Sequence, residues 1–198
     1  MLVAQIPIRV DGKATESICI LTPTNDLLVY DLATGSPISL FTGGRILRNV
    51  QGRTRQFLAD GQETRLIKSS EILLSIGVKT EAVAERILLG HDIIDHGVRV
   101  RWRLRFGSHT LTYSDEILNQ NRELKRRIDF SEVPESSSIT FKSSQSLQFK
   151  LIDEGEGSRV VSRSNGDYTV AVSPDKAGRI SLRFKLDLPK EAAPPKWD

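Results

Sequence analysis

The segment from Val98 to Phe106 alternates strictly between apolar and basic residues, and this alternation constrains the possible folds more than any other feature of the chain. Arginines occupy every second position, and the apolar positions between them hold Val98, Val100, Trp102, Leu104 and Phe106. A period of two residues is typical of a β-strand with one buried face. Such a strand needs neighbouring strands and a covering layer, so the sequence predicts an all-β protein.

Shorter apolar segments separated by turn residues repeat along the chain, and Asp60-Gly61 and Asn165-Gly166 are its strongest hairpin signals. Two segments suggest helices instead. One is a short turn over His91–His96, and the other begins at Ser114, where a cap and early acidic residues precede a sparse apolar stripe. We therefore predict one domain over residues 1–113, a helical linker over 114–136 and a small β-rich extension over 137–198.

Composition excludes several classes of protein. The single cysteine, Cys19, rules out an internal disulfide and favours a reducing compartment. The segment Met1–Val10 lacks a signal-peptide layout, and no apolar stretch reaches the roughly 20 residues that span a bilayer. A formal net charge of +3 permits weak contact with nucleic acid but does not require it. We expect a protein that does not enter membranes and whose main partner is not nucleic acid.

A cluster of possible metal ligands follows Gly90. Its members are His91, Asp92, Asp95 and His96. Imidazole and carboxylate groups suit a metal ion, but no third histidine lies at a convincing spacing. We interpret the cluster as a solvated turn and predict neither a metal nor another cofactor.

The segment Leu27–Phe41, which reads LLVYDLATGSPISLF, places a tight turn between two apolar strands. The turn itself contains Ala33, Thr34, Gly35 and Ser36. In an aspartic protease a carboxylate would stand at the first of these positions, where amides and a hydroxyl of the turn reach its oxygens. Asp31 precedes that position by two residues, but it is not followed by Thr-Gly.

Two later segments complete a pattern. Phe57–Arg65 (FLADGQETR) looks like the flap of such a protease, a hairpin whose Asp60-Gly61 tip would close over a groove above residues 33–36. Arg86–Ile94 (RILLGHDII) looks like the closing motif of such a protease, which implies that Gly90 lets the segment pack close beneath the turn and that Asp92 forms structural hydrogen bonds.

In order, spacing and residue type, these segments resemble the retropepsins, the aspartic proteases of retroviruses and related retroelements, over about residues 5–112. The resemblance implies a closed β-barrel with one short helix. It also implies a homodimer with two facing catalytic turns, and cleavage of a polyprotein in the cytoplasm or inside virus-like particles. It assigns the catalytic positions to Ala33, Thr34 and Gly35, substrate contacts to Ser36, Asp60, Gly61 and Gln62, and a structural closing motif to Gly90 and Asp92.

The departure from the family lies at Ala33. Alanine can neither hold nor polarise a water molecule, so the enzyme would be inactive as written, and Ala33→Asp would create or restore activity. Ala33 would then be either an engineered replacement or the mark of a natural pseudoprotease. The alternative is a non-enzymatic, β-rich binding or assembly protein, which could contact nucleic acid and in which residues 30–35 (YDLATG) form a generic hairpin.

Overall fold

The computed structural model describes residues 2–10, 13–22, 25–51, 54–95, 97–120, 123–145, 150–153, 159–164 and 167–187. Within these ranges all regular secondary structure is β-strand, which confirms the all-β prediction. The strands are β1 (Leu2–Val10), β2 (Lys13–Leu21), β3 (Leu27–Asp31), β4 (Ser36–Gln51), β5 (Thr54–Arg65), β6 (Ile67–Ile76), β7 (Lys79–Ala82), β8 (Glu85–Ile94), β9 (Gly97–Phe106), β10 (His109–Gln120), β11 (Glu123–Ser131), β12 (Ser137–Gln145), β13 (Lys150–Asp153), β14 (Arg159–Ser164), β15 (Asp167–Val172) and β16 (Ile180–Asp187).

The first compact unit ends at Ile67 and is a closed barrel of β1 to β5. Consecutive strands pair antiparallel, and a short parallel pairing closes the barrel where Ile8 of β1 lies opposite Phe57 of β5. Closure pairs both edges of the sheet. The buried interior is apolar and contains Ile8, Val10, Cys19, Leu27, Val29 and Phe41.

The barrel bends where three glycines meet. The register of β4 and β5 shifts between Thr42 and Arg45, so Gly43 and Gly44 form an irregularity opposite Gly61. Gly61 has φ 127°, and a Cβ atom there would lie 2.9 Å from the Cα atom of Gly44. The predicted hairpin tip at Asp60-Gly61 is therefore wrong. The pair lies within β5, because a glycine with positive φ serves a bulge as well as it serves a turn.

The second unit, Lys68–Asp187, contains two sheets. One has six strands in the order β13-β16-β11-β10-β9-β8, and the other has five in the order β14-β15-β12-β6-β7. Phe141 of the five-stranded sheet contacts Phe184 of the six-stranded sheet, with ring centroids 6.0 Å apart. The two sheets therefore share a core, as in a β-sandwich.

The strand predicted from the alternation in Val98–Phe106 is β9, and one of its faces is buried. The five apolar side chains of this strand are buried, and Arg101, Arg103 and Arg105 are exposed. The predicted hairpin near Asn165-Gly166 is consistent with the pairing of β14 and β15, in which Ser164 lies opposite Asp167. The two turn residues themselves lie outside the described residues.

Both predicted helices are wrong. The residues His91 to Ile94 belong to β8, and His96 lies outside the described residues. The segment after Ser114 continues β10 and is followed by β11. The alternation of β11 was hidden because Arg126, a charged residue, occupies one of its buried positions. Local propensity is a weak guide where pairing with distant strands decides the structure.

The predicted domain boundaries also differ from the observed division. One unit ends at Ile67, and β9 to β11 belong to the second unit together with β16. No helical linker is present among the described residues of 114–136. The pairing of β11 with β16 joins residues that are 50 to 64 positions apart, which no local pattern in the sequence reveals.

Candidate functional site

The turn between β3 and β4 is held by the carboxylate of Asp31. Its oxygens accept hydrogen bonds from the amides of Ala33 (3.2 Å) and Thr34 (3.0 Å), and from the hydroxyl of Thr15 on β2. The amide of Gly35, which has φ 63°, donates to the Asp31 carbonyl at 2.9 Å. Aspartate commonly stabilises turns in this way. Asp31 is 6% exposed, so its side chain is a buried cap of this turn.

The predicted catalytic and substrate-contacting residues of this turn differ in exposure. Ala33 is exposed and Thr34 is partly buried, whereas Ser36 is fully buried. An alanine methyl group offers no acid or base, and the nearby Asp31 carboxylate already accepts three hydrogen bonds from its own unit. The turn is therefore the end of a hairpin, and the Asp31 side chain caps it.

Asp60, Gly61 and Gln62 lie in the same barrel as the turn but within the β4–β5 ladder. Asp60 lies opposite Arg45, and its carboxylate accepts a hydrogen bond from the Arg45 guanidinium at 2.8 Å. Gln62 lies opposite Thr42 and is exposed. These residues form a paired strand, so they do not make the free loop that a closing flap requires.

Gly90 and Asp92 lie in the second unit, on β8, whereas Ala33 lies in the barrel. Gly90 has φ 136° and takes part in a β-bulge, where the register with β9 shifts between Leu88 and Gly90. Asp92 forms an ion pair with Arg101 at 3.1 Å. The turn and the predicted closing motif therefore belong to two separately packed units.

The most unusual surface of the second unit is the edge strand β8. It is the last strand of the six-stranded sheet, with β9 as its neighbour. Ile87 and Leu89 are each 42% exposed and Ile93 is 62% exposed, three of the six large apolar residues found exposed in the described part of the chain. An edge strand with unpaired backbone groups and exposed apolar side chains is a site for pairing with another strand.

The bulge in β8 determines which way these side chains face. Before the bulge, Ile87 lies opposite Arg103 and therefore on the charged outer face of the sheet. After the bulge, Ile93 lies opposite Val98, a fully buried residue, and so on the core face. Because Ile93 faces the core and is nevertheless 62% exposed, the core face of the sheet is not covered at this edge.

The apolar run of β8 is visible in the sequence, where it resembles a closing motif followed by a helical turn. Apolar residues near a bulged glycine do indicate a strand. Nothing in the local pattern shows that the strand ends a sheet, because that depends on the order of all six strands.

The outer face beside β8 is covered by ion pairs. Arg99 pairs with Glu116 at 2.6 Å and Arg105 pairs with Glu85 at 3.0 Å. Farther across the sheet Lys185 pairs with Glu123 at 2.6 Å. The interleaving of acids among the bases lowers the positive potential that a phosphate-binding surface would need.

A second charged cluster is buried between the sheets. The Arg126 guanidinium donates to both oxygens of Asp115, the shortest contact being 2.6 Å, and the two residues are 3% and 0% exposed. The Tyr113 hydroxyl donates to Asp115 at 3.2 Å, and burial, reinforced by the Asp115 charge, raises the pKa of Tyr113. This cluster lies inside the unit and serves its packing.

The described residues offer neither a cluster of metal ligands nor a membrane-spanning helix. Among the described residues no group of three or more histidine, cysteine, aspartate or glutamate side chains is placed to hold a metal ion. Those residues also contain no helix of the length and apolarity that a membrane crossing requires.

No protein-family model matches the chain, and a search of curated proteins finds no significant match.

Proposed function

We propose that this chain is a non-enzymatic assembly protein whose copies associate through the β8 edge of the six-stranded sheet. The observation that carries the proposal is the exposure of Ile87, Leu89 and Ile93 along a strand that ends a sheet. Addition of a strand to such an edge satisfies its backbone groups and covers its apolar side chains at the same time. Burial of apolar surface contributes about 25 cal/mol per Å².

The charges of the strand favour a second copy as the partner. Glu85 and Arg86 begin β8, Asp92 lies near its end and Asp95 lies just beyond it, and the carboxylates of Glu85 and Asp92 are already paired with Arg105 and Arg101 of β9. An antiparallel second copy brings Arg86 of one strand toward Asp95 of the other, whereas a parallel copy would align like charges. A two-fold axis through the edge therefore matches unlike charges on both sides.

The geometry gives less support to the retropepsin hypothesis. Its turn and its closing motif lie in different units, and its flap residues lie in a paired strand. The capped turn and the open edge together favour the assembly function, which does not require a carboxylate at position 33.

The proposal is tested by the molecular mass in solution. We expect sedimentation of the full chain to give twice its 22.1 kDa mass at micromolar concentration. Ile93→Lys should shift the equilibrium to monomer, because pairing would bury an unpaired ammonium group. Ile93 is already 62% exposed, so the monomer should fold normally.

Val78→Lys is the matched control. Val78 is also exposed and apolar, but it lies in the β6–β7 turn and not on β8. This variant should remain dimeric. A wild-type chain that stays monomeric at high concentration, or a dimer that both lysine variants leave intact, would overturn the proposed function.

A further inference from the structure

We infer that two copies pair antiparallel along β8 in one register, with the two-fold axis passing through His91. Leu89 is the extra residue of the bulge between Leu88 and Gly90 and takes no place in the ladder. In this register Ile87 therefore lies opposite Ile94 of the partner subunit on the outer face. Leu88 lies opposite Ile93 of the partner subunit on the core face. The inference rests on the proposed function and specifies the geometry of the same interface.

The bulge limits the registers that are possible. Opposed residues of an antiparallel pair project to the same face of the sheet, and a shift of one position exchanges the faces. On β8 the outer-face residues are Glu85 and Ile87 before the bulge and Gly90, Asp92 and Ile94 after it, as the pairing with β9 shows. Only registers that differ by two positions keep both faces matched.

Among these registers, one pairs apolar residues on both faces. A shift by two positions in one direction would place Ile87 opposite Asp92 and Ile93 opposite Arg86 of the partner subunit. A shift in the other direction would place Asp92 opposite its own copy. Apolar cross-strand pairs stabilise a sheet, and like charges directly opposite destabilise it.

The chosen register also accounts for the exposure and charge of the edge. It covers Ile93, the core-face residue that is 62% exposed, with Leu88 of the partner subunit. It brings Arg86 opposite Asp95 of the partner subunit, just beyond the end of the strand. Each of these contacts occurs twice, because the axis repeats it.

Disulfide trapping tests the register directly. In His91→Cys the two introduced thiols would meet at the axis with Cα atoms roughly 4.5–5.5 Å apart, within the range of about 4.4–6.8 Å that disulfides require. We expect a covalent dimer on mild oxidation. The natural Cys19 is buried, and its burial raises the pKa of the thiol to about 12, so the wild-type chain should form none.

Ile87→Cys is the matched control on the same strand. Its two copies would lie roughly 20 Å apart along the paired strands, from a rise of about 3.4 Å per residue. It should not form a dimer alone, but it should crosslink to an equal amount of Ile94→Cys. Circular dichroism of each variant establishes that the fold is retained.

The outcomes separate the register from the proposed function. Crosslinking through Asp92→Cys alone, or through a mixture of Ile87→Cys and Asp92→Cys, would overturn the register while the β8 association stands. Failure of His91→Cys to crosslink in a chain that sediments as a dimer would do the same. A monomeric wild-type chain would overturn both.

Discussion

At the scale of single residues, the charged side chain of Arg126 occupies a core position. Arg126 is buried between the sheets, where it binds Asp115 and lies 5.5 Å from the centroid of the Phe141 ring. Two buried charges tolerate the loss of water only when each satisfies the other with good geometry. The cluster therefore specifies how β10 and β11 pack more than it adds net stability.

We predict that Arg126→Met lowers the free energy of unfolding by about 3–5 kcal/mol, since it leaves the Asp115 carboxylate buried without its partner. Arg101→Met is the control, because the Arg101–Asp92 pair is about half exposed and such pairs contribute about 1 kcal/mol or less. Denaturant titration measures both. Adding Asp115→Leu to Arg126→Met should recover part of the loss, and equal effects of the two arginine changes would contradict this account.

A second residue-scale prediction concerns the β3–β4 turn. We expect Ala33→Asp to fold and to show no peptidase activity, because Asp31 already caps the turn and the predicted flap lies in a paired strand. The retropepsin resemblance predicts acid-favoured cleavage that a statine-type transition-state mimic inhibits. An assay of peptide cleavage by Ala33→Asp, with Ala33→Asn as the control, decides between them. Activity in the aspartate variant alone would restore the protease hypothesis.

At the scale of elements, glycine decides where the long barrel strands bend. Gly44 and Gly61 lie so close that a Cβ atom on either would meet backbone or core atoms within 3 Å. The irregularity at Gly43 and Gly44 lies within β4, which pairs with β3 at one end and with β5 along most of its length. Bulges of this kind bend the strands of small barrels.

We predict that Gly61→Ala destabilises the protein more than Gly77→Ala. Both glycines have positive φ, so both substitutions introduce backbone strain of about 1–3 kcal/mol. Only at Gly61 does the added methyl group also meet the opposite strand, whereas nothing lies within 4 Å at Gly77. Thermal unfolding of the two variants measures the difference, and equal losses would show that crowding at the bulge is unimportant.

At the scale of the whole molecule, the chain forms two units with separate cores. The barrel core contains Leu27, and the core of the second unit contains Ile128; both side chains are fully buried. Local opening in proteins tends to follow such cooperative units.

We predict that Leu27→Ala and Ile128→Ala, each expected to cost about 2–5 kcal/mol, act mainly on their own units. Amide hydrogen exchange should accelerate in β1 to β5 for the first variant and in β8 to β12 for the second. The same pattern of acceleration in both variants would indicate a single cooperative unit instead.

The sequence by itself determined the all-β class, the inward and outward faces of β9, and the position of the β3–β4 turn. Each of these depends on residues a few positions apart, so the alternation of apolar residues and the preferences of turn residues predict it. The order of strands, the edge position of β8 and the bulge role of Gly61 depend on pairings between distant segments, such as β11 with β16. Local patterns report which face of a strand is apolar, but only the tertiary structure decides which strand lies beside it. The candidate interface exists because, in the described part of the chain, no seventh strand follows β8 in its sheet.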